Sequence, residues 1–131
     1  MISPEKRELF RPFAPSVTEE GAPDFFEIDQ PSPYMNIVAR VRAAAQAQIP
    51  AVTHVDGTAR VHTVSAEANP LYHALISRFG ALTGVPVLLN TSFNIQEPIV
   101  QTPEEAMATF RASGVDVLVL GRFLILRENL L

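Results

Sequence analysis

Cysteine is absent from the 131 residues. No disulfide or thiolate metal site can therefore hold the chain together, and the composition suits a reducing cytoplasm. Lysine occurs once, as Lys6, and there is no run of basic residues. With a formal net charge of -4, the surface lacks the broad positive footprint of a nucleic-acid binder. No apolar stretch reaches the roughly 20 residues that a bilayer span needs, and residues 1–11 have no apolar signal-peptide core. There is no Walker-type loop, no Gly-x-Gly-x-x-Gly and no defensible Ser–His–Asp pattern. The three histidines, His54, His62 and His73, have no compact metal-ligand spacing. These absences predict a soluble cytoplasmic protein with no protein-ligated metal, no nucleic acid and no membrane among its partners.

What is present suits one domain with an ordinary core: 47% of residues are hydrophobic and 18% charged. Six prolines, Pro4, Pro12, Pro15, Pro23, Pro31 and Pro33, crowd the first 33 residues, so no long helix fits before Tyr34. Phe10, Phe13, Phe25 and Phe26 give that stretch apolar anchors, and it reads as an extended arm that packs on something. Tyr34–Val41 is rich in β-formers. Arg42–Gln48 is alanine-rich, a helical turn or a loop. Ala51–Val55 and Ala59–Val64 read as the arms of a hairpin turned at Asp56-Gly57, with His54 and His62 on opposite arms. Asn69-Pro70 opens a helix, an N-cap followed by the proline favoured in the first turn. Leu71, Leu75, Ile76, Phe79 and Leu82 recur at helical spacing as one apolar face, and Gly84 with Pro86 ends it. Residues 86–89 are a strand. Thr102 and Glu105 form a capping box for a second helix with Ala106, Met107 and Phe110 on its apolar face and Gly114 at C′. Val117–Leu120 and Phe123–Leu126 read as two closing strands. Strands alternating with two well-signalled helices predict an α/β (α+β) sandwich.

The densest chemistry follows residues 86–89. Asn90, Thr91, Ser92 and Asn94 place four short polar side chains within five positions, interrupted only by Phe93. The carboxyl end of a core strand is where α/β proteins hold ligands, although Asn and Ser also favour simple turns. Lys6, Arg11 and Arg60 are the cations that could hold an anion. Lys6 and Arg11 can equally lie on a solvated helix face, and Arg60 can be an exposed edge-strand residue or a partner of Asp56. His54 is an acid or base candidate by its ordinary pKa, or a histidine satisfied by a backbone partner. Asp56 reads first as a turn residue. Glu97, held extended before Pro98, could orient a hydroxyl or a cation or be a plain loop carboxylate.

The blocks Phe10-Arg11-Pro12-Phe13-Ala14-Pro15-Ser16-Val17, Ser32-Pro33-Tyr34-Met35 and Pro50 through Arg60 come in order along the chain. Leu88-Leu89-Asn90-Thr91-Ser92-Phe93-Asn94, Glu97-Pro98-Ile99-Val100 and Thr102-Pro103-Glu104-Glu105-Ala106 follow. Together they resemble the C-terminal part of the O-carbamoyltransferases, the family of nodulation and antibiotic-tailoring carbamoyltransferases, from about Lys6 to Gly121. The resemblance implies a YrdC-like fold over 1–131, a twisted mixed sheet with flanking helices, with 1–33 as an arm packed on the domain or on an N-terminal domain. It implies that ATP, with Mg2+, and carbamoyl phosphate are bound and converted to carbamoyladenylate. An N-terminal Kae1-like transferase domain, which this chain does not carry, would pass the carbamoyl group to a hydroxyl. By motif, Lys6, Arg11 and Arg60 are expected to act on the phosphates. Asn90 and Ser92, with Thr53, His54 and Asn94 as neighbours, are expected to hold substrate and nucleotide. Two other readings stand beside this one: a non-catalytic nucleotide-binding or docking module, and a relative of the threonylcarbamoyl-adenylate synthases.

Overall fold

The computed structural model describes residues 13–95 and 97–130. They fall into two compact units, one ending at Thr91 and the other beginning at Ser92. In chain order the larger unit contains β1 (Ala14–Thr18), α1 (Ala22–Phe25), β2 (Phe26–Glu27), β3 (Ile37–Val41) and α2 (Ala43–Gln46). A 3-10 turn (Pro50–Val52), β4 (Thr58–Val64), α3 (Pro70–Thr83) and β5 (Val87–Asn90) complete it. The smaller unit contains α4 (Pro103–Ala112), β6 (Val117–Leu120), β7 (Phe123–Leu126) and a 3-10 turn, Arg127–Leu130.

The larger unit is built on one open five-stranded sheet, in the order β2-β3-β4-β1-β5. β1 runs parallel to β4 and every other pairing is antiparallel. The architecture is the expected mixed sheet with flanking helices. Within the proline-rich stretch, Ala14–Thr18 form β1: all five residues are buried, and β1 lies between β4 and β5. Pro15 stands opposite Leu89 in the antiparallel ladder to β5, and the parallel ladder to β4 starts one residue later, at Ser16 opposite His62.

Side chains alternate across the sheet. On one face Val17, Ala39, Val41, Ala59, Val61 and Val87 join Phe25, Phe26, Ala45, Ile49 and Val52 in a continuous core. On the other face lie Ser16, Arg60, His62 and Asn90, partly beneath α3. The expected hairpin arm 51–55 is not a strand. Pro50–Val52 is a 3-10 turn, and 53–57 is a loop closed by His54 N–H donating to the Thr58 carbonyl at 2.7 Å and Gly57 N–H donating to the His54 carbonyl at 2.9 Å.

α3 starts and stops as its sequence predicts. The Asn69 side chain accepts from the Tyr72 N–H, and Gly84 ends the helix in the left-handed region at φ 81°. Its buried face differs. Of the five apolar residues expected inward, only Ile76 is buried, while Leu71 (79%) and Leu82 (73%) stay exposed. The side facing the sheet is spaced by four residues through Tyr72, Ile76 and Gly80. At Gly80 a Cβ would stand 2.5 Å from the Cβ of Pro86, so the helix meets the start of β5 at backbone distance.

In the smaller unit the capping box of α4 is complete: Glu105 N–H donates to Thr102 Oγ1, and the Glu105 carboxylate accepts from the Thr102 and Gln101 N–H groups. Ala106, Phe110 and Leu118 form its core, with Phe93, Val100, Met107 and Ile125 against it. Phe93, which interrupts the polar cluster in sequence, thus packs inward. α4 ends at Ser113 in extended backbone, and the positive-φ glycines are Gly57, Gly84 and Gly121, so Gly114 is not a left-handed cap.

Candidate functional site

The polar face of the larger sheet converges on the imidazole of His62, a residue the sequence reading noted only for its spacing. Ser16 Oγ lies 2.8 Å from Nδ1. Asn90 Nδ2 lies 3.1 Å from the same nitrogen. Tyr72 of α3 stacks on the ring, with centroids 6.2 Å apart and planes 30° apart. Ser16 is fully buried, and burial pushes the His62 pKa below its ordinary 6.5.

A fifth residue reaches this cluster through the loop between β2 and β3. Ser32, fully buried, stitches that loop to β4. Its N–H donates to Thr63 Oγ1 at 2.7 Å, its hydroxyl donates to the Val61 carbonyl at 2.9 Å, and its carbonyl accepts from Thr63 N–H at 3.0 Å. Three residues on, Met35 adopts φ 53°, uncommon for a side-chain-bearing residue. Its sulfur stands 3.5 Å from Asn90 Nδ2. The signal that could have found this cluster was the strand register: Ser16 pairs with His62, and Ala14 with Asn90.

The structure treats the expected site residues unequally. Asn90 joins the cluster. Arg60 lies on the same face of β4, two residues before His62, and its side chain is exposed. It is neither on an edge strand nor paired with Asp56: the described ion pair is His73 with Glu20, at 2.6 Å. Thr53 and His54 are engaged locally. Thr53 Oγ1 donates to the Ile49 carbonyl at 2.9 Å. The Thr58 hydroxyl donates to Asp56 at 2.7 Å, so toward His54 Nδ1, 3.1 Å away, it accepts. Asp56 is the turn residue expected of it, its carboxyl held below the usual range by the hydrogen bonds from Thr58. Lys6 and Arg11 lie outside the described residues.

Ser92 and Asn94 belong to the smaller unit. Ser92 is exposed. Asn94 Nδ2 donates to the Glu97 carbonyl at 2.8 Å, and the Glu97 carboxylate accepts from Thr109 Oγ1 at 2.8 Å and from Ile95 N–H at 3.2 Å. Glu97 therefore ties its loop to α4. A cavity of about 240 Å3, lined by Ile49, Val52, Phe79, Val85 and Val87 among others, takes in none of the expected site residues. Among the described residues no cluster of His, Asp or Glu could hold a metal ion. Among the described residues, too, no helix is long and apolar enough to cross a membrane.

An open mixed sheet flanked by helices defines a class, the α/β (α+β) domains. The comparisons give the family. Residues 3–127 match the pattern of the carbamoyltransferase C-terminus. Nodulation protein NolNO of Sinorhizobium fredii is 51% identical over 129 residues, 95% of this chain and 19% of that protein. Nodulation protein NolO of Bradyrhizobium diazoefficiens is 50% identical over 125 residues, 92% of this chain and 23% of that protein. The 3'-hydroxymethylcephem-O-carbamoyltransferase of Amycolatopsis lactamdurans is 39% identical over 118 residues, 89% of this chain and 22% of that protein. The chain belongs to the carbamoyltransferase C-terminal family, and it spans about a fifth of the length of these curated relatives.

Proposed function

We propose that this chain binds ATP and carbamoyl phosphate and forms carbamoyladenylate, for transfer of the carbamoyl group to a hydroxyl by an N-terminal Kae1-like transferase domain. Hydrolysis of carbamoyl phosphate yields carbamate and phosphate. A carbamate oxygen then attacks the α-phosphorus of ATP, a new P–O bond forms, and the bond to the β-phosphate oxygen breaks to release pyrophosphate. Charge builds on phosphoryl oxygens, and fixed cations stabilise that charge more in the transition state than in the ground state. Arg60, Lys6 and Arg11 take that role. Mg2+ enters with the nucleotide as part of the substrate.

The observation that carries the reading is the presence, on one sheet face, of an exposed cation and an amide, Arg60 and Asn90. A guanidinium suits phosphate oxygens, and a carboxamide suits a carbamoyl group, which offers both donors and acceptors. On the resemblance alone, this reading also assigns Thr53, His54, Ser92 and Asn94 to substrate and nucleotide. The test is Arg60→Ala in the full-length protein, followed by carbamoyl-phosphate-dependent release of pyrophosphate from ATP. The expected outcome is loss of that release with the fold intact by circular dichroism. Normal turnover sinks the assignment.

One observation favours the docking reading: the outward row Leu71, Leu75 and Leu82 on α3. Calorimetry with ATP and carbamoyl phosphate separates the two, since a pure docking module takes up neither.

A further inference from the structure

The Asn90 carboxamide is held in one orientation by two groups of different chemistry. A thioether sulfur accepts a hydrogen bond and cannot donate one. Met35 Sδ, 3.5 Å away, therefore faces an N–H, and the atom toward it is Nδ2. The second hydrogen of Nδ2 points to His62 Nδ1 at 3.1 Å, so that nitrogen is an acceptor and the ring proton sits on Nε2. The hydroxyl of buried Ser16, 2.8 Å from the same Nδ1, shares that nitrogen's single lone pair with the amide N–H in this tautomer. Both amide hydrogens of Asn90 are thus used inside the protein. Its Oδ1 has no hydrogen bond to any of the described residues, among which no buried polar side-chain atom is left without a partner.

We propose that His62 is a positioning residue that locks the Asn90 amide so that it offers Oδ1, an acceptor, which selects the amino end of a carbamoyl group over a carboxylate or acetyl group. This rests on the function proposed above. A protonated His62 would present N–H at Nδ1, and the amide would have to turn its oxygen inward. The ligand would then meet Nδ2, a donor, opposite its own amino group.

The charge of His62 is isolated enough to act as this switch. Tyr72 faces it from α3, and the neighbouring His73 is held by Glu20 at 2.6 Å. Along β4 the charged residue of the same face is Arg60. β1, β5 and the loop before β3 present Ser16, Asn90 and Met35, none of which titrates. Burial already favours the neutral ring.

Two measurements test the lock. In the first, the nitrogen spectrum of the 131-residue chain reads the tautomer without substrate. A proton on Nε2 at neutral pH is expected, and an Nδ1–H tautomer overturns the proposal. In the second, carbamoyl-phosphate-dependent ATP–pyrophosphate exchange is followed in the full-length protein over about pH 5 to 8, the range in which histidine titrates. As pH falls through the depressed His62 pKa, below 6.5, the KM for carbamoyl phosphate should rise. Loss of one matched hydrogen bond corresponds to about tenfold in KM, with kcat changed less.

His62→Gln keeps an acceptor that does not titrate, so it should retain the neutral-pH KM and lose the acid rise. His62→Leu should show the raised KM at every pH. Identical pH profiles for the wild type and His62→Gln overturn the proposal, as does an unchanged KM in His62→Leu. Wild-type protein with the expected tautomer but no exchange at all overturns the carbamoyl selectivity together with the proposed activity.

Discussion

The two units of this chain are held together by different means. The larger unit relies on apolar packing: Val17, Phe26, Val41 and Val61 are at most 1% exposed and belong to one core of twelve buried residues. Among the described residues the core of the smaller unit has three, Ala106, Phe110 and Leu118, while Val119, Phe123 and Leu124 of its hairpin are exposed. It makes up the difference with polar ties. Arg127 Nε donates to the Val115 carbonyl at 2.7 Å, its Nη2 donates to the carbonyls of Phe110 and Ser113, and the guanidinium lies 5.2 Å from the centre of the Phe110 ring. One side chain thereby closes the carboxyl end of α4 and attaches it to the end of β7, where backbone carbonyls would otherwise lack partners. A unit with a small core concentrates its stability in a few residues, whereas a long core spreads it.

Phe110→Ala attacks that concentration most directly. Removing a fully buried phenylalanine should cost about 3–5 kcal/mol, and hydrogen exchange should show protection lost in α4, β6 and β7 and kept in β1 and β4. Equal loss in both units would break the contrast. Arg127→Ala comes next. It takes the guanidinium donors from the Val115 and Ser113 carbonyls, leaves the Phe110 carbonyl to the Ser113 hydroxyl alone and removes a cation–π contact, so a cost of about 1–3 kcal/mol is expected by chemical denaturation. A neutral effect would mean that the polar ties add nothing to the small core. The mildest probe compares caps. Thr102→Ala and Asn69→Ala each remove one N-cap acceptor, at about 1 kcal/mol. The loss of exchange protection should be deeper for Thr102→Ala, since the smaller unit has less packing to absorb it.

The legible parts of the fold were those specified by neighbours in sequence. Asn69-Pro70 and Thr102 with Glu105 announced their helices because capping is chemistry between residues three apart. β1 was not legible as an interior strand: two prolines flank or occupy it, and its partners, β4 and β5, lie far along the chain. The face of α3 was misleading for the same reason. Its leucines carry the strongest local pattern, yet the sheet selects Tyr72, Ile76 and Gly80. At the site, Asn90 stood out as the first polar residue after an apolar strand. His62 did not, because its importance comes from Ser16, Met35, Tyr72 and Asn90, brought to it by strand register and by a loop pinned through Ser32. Arg60 was visible as a cation in an apolar run, while its exposure on an interior strand needed the sheet.

Gly80 gives the molecule a narrow mechanical tolerance. With no side chain there, α3 rests against Pro86, one residue before β5 begins. β5 ends four residues later, at Asn90. A single added methyl would act as a wedge at one end of a short rigid lever, with the amide of Asn90 at the other end. The exposed leucines of the same helix can change size freely without touching that lever.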